Sequence, residues 1–187
     1  MAYEESYETV KQKLIIAGIE EIEKHSISDF SLRRVASSCA VSCAAPYKHF
    51  KSKEDFINQI ATYIMDKWAM LYSQVYDIFS NDLKRCILEV SIAYIKFSVA
   101  NPNFRTILMN KDISFDNFNP DLSIENIIYK LFSSVYENLI EENEIKKRAL
   151  SVISLIYGFM FMIDKGEVST LQEGIDMIKE IIKKEII

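Results

Sequence analysis

Residues able to meet a polyanion are concentrated in one stretch, SLRRVASSCAVSCAAPYKHFKSK, over residues 31–53. Arg33, Arg34, Lys48, Lys51 and Lys53 give it five positive charges with no acidic residue, in a chain of net charge −5. A basic island on an acidic protein attracts phosphate and also dictates which face docks. Lys and Arg solvated at an ordinary surface have the same composition, so charge alone leaves both readings open.

The elements that must position these residues are two short helices. Ser31 can cap the first, with Leu32, Val35 and Ala36 turned inward and with Phe30 and Val35 spaced as a hydrophobic staple. Ser42 can cap the second. Between them Cys39, Ala40 and Val41 leave room only for a tight turn, which predicts a helix-turn-helix pair whose second helix is offered to a DNA major groove.

Val41-Ser42, Tyr47-Lys48-His49-Phe50 and Ser52-Lys53-Glu54 read VSxxxxYKHFxSKE, which resembles the signature of the TetR family of bacterial transcriptional regulators. Ala44-Ala45-Pro46-Tyr47 is similar to a subset of that family with proline inside the recognition helix, and AYIKFSVANPNFRTILM, over 93–109, is similar to a second segment of the same subset. The resemblance implies an all-α homodimer with an N-terminal three-helix DNA-binding domain and a C-terminal helical domain that dimerises and binds a small effector, about nine helices in all. It also implies roles. Ser31, Tyr47, His49 and Lys53 match positions that meet phosphates, which orient a protein without specifying sequence. Ser42, Cys43, Ala44 and Lys48 match positions near base edges. Cys43 and Ala44 are small, so thymine-methyl contact and DNA shape carry more of the readout, with Lys48 the best single base reader. Tyr47 and Phe50 as core residues, and His49 as a structural histidine, are the plainer alternatives.

One residue departs from the family pattern. Glycine is common where this chain has Ala40, serving the left-handed conformation that ends the first helix. Alanine there costs roughly 1 kcal/mol, so a slightly different turn path is expected.

Composition agrees with long helices. The chain has 187 residues, 49% of them hydrophobic, with four glycines and three prolines; the few breakers argue against a β sandwich. The longest uncharged apolar run, 149–163, is 15 residues, short of the ~20 that span a bilayer. Without an export signal the expected location is cytoplasmic. Cys39, Cys43 and His49 invite a zinc site, but a structural site needs four ligands, so neither metal nor cofactor is expected. Cys43 at a helix start could be a reactive thiol, though lone cysteines more often act as small apolar residues. No catalytic motif is present, and Glu20, Glu21 and Glu23 read as a solvated helix face, so the chain is not expected to be an enzyme.

In chain order, a bracing helix over 5–24 precedes the basic stretch. Ser52 then caps a helix with Asp55 at its capping-box position, running some 27 residues to Phe79 and reaching about 40 Å. A helix starting at Asn81 or Asp82 stops before Pro102, a short one follows through Leu108, and a loop occupies 110–121. Helices over 122–140 and 144–163, and a last one capped by Thr170, complete the chain. The expected domains are 1–51 for DNA binding and 52–187 for effector binding and dimerisation. Trp68, Tyr72, Tyr94, Phe97, Met109, Tyr129 and Phe132 are the candidate lining of an effector pocket, although aromatic stripes are more often packing. The helix over 144–163 is apolar on two sides and needs two covers. Ile153, Ile156, Gly158 and Met160, with Ile175, Ile178 and Ile182 of the last helix, are the expected dimer interface, a single-chain core being the alternative. The expected partners are an operator duplex, a second copy and a small effector, with no membrane. The competing function is a helical protein-interaction module without sequence-specific DNA binding.

Overall fold

Hydroxyl caps mark where several of the helices begin. Thr9 Oγ1 accepts the Gln12 backbone N–H at 3.2 Å, Ser52 Oγ that of Asp55 at 3.1 Å, and Thr170 Oγ1 that of Glu173 at 3.2 Å. Each satisfies a donor that the first helical turn leaves without a partner. The structure, a computed structural model, describes residues 9–102 and 119–186. Among them lie seven α-helices: α1 (Val10–His25), α2 (Leu32–Ser38), α3 (Lys53–Phe79), α4 (Leu83–Ala100), α5 (Ile124–Tyr136), α6 (Glu142–Asp164) and α7 (Leu171–Glu185). Short 3₁₀ turns occupy Pro46–Lys48 and Pro120–Leu122.

The all-helical class is the one expected, but the count among the described residues is seven α-helices and not about nine. One difference is physical: the second helix of the basic stretch is a 3₁₀ turn. The helix expected after Pro102, Met109, and most of the loop over 110–121 lie outside the described residues. No helix among the described residues is long and apolar enough to cross a membrane.

By compactness the described residues form two units that divide inside α3, between Asp66 and Lys67. The 27-residue length of α3 is the one its Ser52 cap and apolar spacing predict. Its first half supplies Phe56, Ile57, Ile60 and Ile64 to the core of the first unit, joining Leu14, Ile22, Phe30, Val35 and Phe50. Gly18 lets α1 approach α3 closely: a Cβ there would fall on the Phe56 ring and 2.7 Å from Ile60 Cδ1.

In the second unit α4 is buried on almost every side, through Cys86, Ile87, Val90, Ile92, Tyr94 and Ile95 among others. Burial pushes the Cys86 thiol up to about 11, so it stays protonated. Trp68 is fully buried against Tyr94 (4.9 Å between ring centroids) and Phe97 (5.7 Å), and its indole N–H donates to the Leu122 carbonyl at 2.9 Å. Tyr72 joins this group at 6.3 Å from Trp68. Of the remaining pocket candidates, Phe132 stacks on Tyr136 at 5.8 Å and Tyr129 is half-buried. The aromatic candidates are thus split between separate contacts, and Trp68, Tyr94 and Phe97 fill space with one another.

The expected interface needs correction. Ile156, Met160, Ile175, Ile178 and Ile182 are all buried within the chain itself. The stripe left uncovered on α6 and α7 is a different one: Leu150, Phe161, Met162, Met177 and Ile181 are exposed, and nothing lies within 4 Å of a Cβ added at Gly158. Ile153 is half-buried between the two. Periodicity marks how far apart two stripes lie around a helix, but not which one meets the chain's own core.

Candidate nucleic-acid interface

The left-handed turn after α2 sets the path of everything that follows. Ala40 has φ +54°, its N–H donates to the Ser37 carbonyl at 3.1 Å, and the Val41 N–H donates to Ala36 at 3.0 Å. These two bonds make a Schellman closure. The same pair closes α6, where the left-handed residue is Gly166 (φ +72°), with Gly166 N–H to Ile163 and Glu167 N–H to Met162, both 3.0 Å. The altered path expected at this alanine is not taken: Ala40 adopts the glycine conformation and carries the strain of a Cβ in the left-handed region. Ala40→Gly should stabilise the protein by about 1 kcal/mol. A thermal melt checks this, and an unchanged or lowered midpoint would refute it.

Beyond the turn, Pro46 prevents an α-helix from forming. It has no N–H to give the Ser42 carbonyl, which instead accepts from Ala45 at 2.9 Å; Lys48 to Ala45 at 3.1 Å and His49 to Pro46 at 2.9 Å continue the tighter 3₁₀ pattern. Ser42 therefore does not cap a second α-helix as expected, and the 3₁₀ turn begins at Pro46 with no side-chain cap. Two residues moor the segment. Pro46 is buried, and Phe50 is 2% exposed, edge-on to Phe56 at 4.3 Å, with the Lys11 ammonium 5.8 Å from its ring centre.

With those two facing inward, Ser42, Cys43, Ala44, Tyr47, Lys48 and His49 are all exposed, Tyr47 by 61%. Phe50 is core, the plainer of its two readings, whereas Tyr47 is not. Ser31 is half-buried and caps α2 by accepting the Arg34 N–H at 3.4 Å. Lys53 is half-buried, its ammonium 5.9 Å from the Phe30 ring centre.

Sequence reasoning missed one pair. Glu21 is 7% exposed, not part of a solvated face, and accepts Arg34 Nε–H at 2.6 Å and the Ser31 backbone N–H at 3.3 Å. Asp29 Oδ2 takes Arg34 as well, at 3.3 Å. Arg34 is therefore engaged within the fold, tying α1 to the start of α2, while Arg33, Lys48 and Lys51 remain exposed cations. A signal was present: Glu21 lies three residues after Gly18 and seven after Leu14, on the face of α1 that packs.

An exposed row of hydroxyl, phenol, imidazole and ammonium groups, held by buried anchors on a capped two-helix support, can bond phosphates and reach base edges. Residues 14–60 match the model for bacterial regulatory proteins of the tetR family. This stretch is thus similar to the N-terminal domain of that family. No curated protein sequence matches the chain. A tetR-like fold extends beyond the matched domain. A protein with unknown function from Rhodococcus sp. RHA1 superposes with a TM-score of 0.75 at 13% identity, covering 98% of each chain. The TetR family transcriptional regulator PfmR from Thermus thermophilus gives 0.68 at 16% identity, covering 93% of this chain and 97% of its own. A TetR variant from Acinetobacter baumannii AYE in complex with minocycline gives 0.60 at 14% identity, with 95% and 94% covered. At such identities the likeness is one of fold.

Proposed function

We propose that the chain is a homodimeric transcriptional repressor that grips a palindromic operator and leaves it when a small molecule binds. The observation that carries this reading is the exposed row from Ser42 to His49, moored by Pro46 and Phe50 within a stretch similar to the tetR-family N-terminal domain. In this reading Tyr47, His49, Lys53 and the Ser31 end of α2 hold phosphates. Ser42, Cys43, Ala44 and Lys48 approach the bases. Residues 1–51 form the DNA-binding domain, and 52–187 serve effector binding and dimerisation.

A second copy is the natural cover for the apolar stripe on α6 and α7. A two-fold pair of recognition segments is also what two half-sites of a palindrome require. The effector acts by linkage: it favours a conformation with mis-spaced recognition segments and lowers DNA affinity by its differential binding. Support for an effector comes from the fold and from the minocycline complex of the A. baumannii protein. Trp68 is the only tryptophan in the chain, so its fluorescence reports on the aromatic group it packs with. A compound that releases DNA should also shift Trp68 emission. Release by diverse compounds with no change in emission would remove the effector from that group.

The test of the reading is binding to DNA flanking the chain's own gene across a salt series. Site-specific retention supports it, and uniform weak binding sinks it. On such a site Lys48→Ala should weaken binding about tenfold and relax preference at one base pair of each half-site. Loss that is uniform across sequences, with a shallower salt slope, would instead make Lys48 a phosphate contact.

A further inference from the structure

Outside residues 31–53 the chain is strongly acidic, yet one groove in the second unit gathers cations. It runs between the start of α4 and the last turns of α7, has a volume of ≈ 770 Å³, and places Lys84, Arg85, Lys179 and Lys183 around Leu88 and Ile186. That volume lies within the ~300–1,000 Å³ of small-molecule clefts. Two carboxylates share the lining: Asp82 Oδ1 caps α4, accepting the Arg85 backbone N–H at 3.0 Å, and Glu89 Oε1 pairs with Arg85 Nε at 3.9 Å, so four cations against two carboxylates leave the lining net positive. Aromatic faces meet two of the cations without cancelling charge: Arg85 lies 4.8 Å from the Phe79 ring centre and Lys84 5.6 Å from that of Tyr136. Lys183 bonds Glu180 at 2.6 Å, and Lys179 has no partner among the described residues.

From this juxtaposition we propose that the groove binds an amphipathic carboxylate, a linear alkyl chain with one anionic head. The chain lies along Leu88, Ile186 and the aliphatic stems of the lysines, which leave their ammonium groups at the rim. Lys179, with Lys84 and Arg85 beside it, receives the head group through charge-assisted hydrogen bonds. An anion without a chain forfeits the apolar floor, and a chain with a cationic head meets like charge. This site does not depend on the DNA-binding reading.

The experiment is calorimetric titration of the full chain with decanoate below its micelle concentration, beside decyltrimethylammonium and acetate. Decanoate should bind and the other two should not. Lys179→Glu with Lys183→Glu should weaken decanoate at least tenfold. Lys84→Gln with Lys179→Gln, which removes charge without reversing it, should weaken it by a smaller factor, and Lys24→Glu, outside the groove, should leave it unchanged. The proposal is overturned if decanoate does not bind, if decyltrimethylammonium binds as tightly, or if both double variants keep wild-type affinity. Melting curves accompany each variant; should the reversal variant melt early, the charge-removal pair decides.

Discussion

Phe50→Ala is expected to cost the first unit about 4 kcal/mol and to abolish operator binding. The ring is 2% exposed, meets Phe56 edge-on at 4.3 Å and lies under the Lys11 ammonium. Truncating a buried phenylalanine forfeits its transfer free energy and leaves a cavity the surroundings fill only in part, typically ~3–5 kcal/mol. Against a total stability of ~5–15 kcal/mol that is a large fraction. The functional loss should exceed the stability loss, because Phe50 is one of two inward anchors of the exposed row from Ser42 to His49. Phe50→Leu keeps most of the apolar volume and should restore much of both. Chemical denaturation together with DNA titration at low temperature, where the alanine variant is mostly folded, separates the two effects. Full operator affinity in the folded variant would show that the segment does not need this anchor.

Met177→Asp combined with Ile181→Asp should convert a dimer to a monomer and lower operator affinity at least a hundredfold. The two residues are one turn apart on α7 and exposed, Met177 by 69% and Ile181 by 42%. Both border a groove of ≈ 830 Å³ between α6 and α7 whose wall already carries Glu167, Glu173 and Asp176. Four new carboxylates per dimer would have to be desolvated against an apolar surface, at several kcal/mol each. The isolated chain should lose little, since neither side chain contributes to its core. Affinity falls because one recognition segment on one half-site forgoes the effective concentration that a linked second segment supplies. Sedimentation at micromolar concentration reads the first effect and DNA titration the second. Ile178→Asp is the contrast. That side chain is 4% exposed within the chain, so its replacement should unfold the second unit. A variant Met177→Asp, Ile181→Asp protein that still dimerises would place the interface elsewhere.

Much of the candidate interface was legible because its determinants are local. A hydroxyl four residues ahead of a packed position satisfies a helix N-terminus wherever the helix later packs, so Ser31, Ser52 and Thr170 mark their helices without tertiary help. The position of the turn at Ala40 was legible for the same reason, since its closure involves only residues 36–41, although its path was expected to differ from the left-handed one it takes. Phe50 could be placed in a core because a large aromatic side chain has few other stable environments, whereas Trp68, expected to line an effector pocket, is fully buried against Tyr94 and Phe97.

The sequence by itself determined the starts of α2, α3 and α7, the 27-residue span of α3, the position of the left-handed turn and the concentration of basic residues over 31–53. Tertiary structure decided that Pro46 and Phe50 bind the following segment down as a 3₁₀ turn, that Arg34 pairs with a buried Glu21, and that Ile156, Ile178 and Ile182 belong to the chain's own core. The first group depends on bonds between residues a few positions apart, which residue type and order encode directly. The second depends on which distant surface a side chain meets, and the energy of burying an isoleucine is much the same against either neighbour.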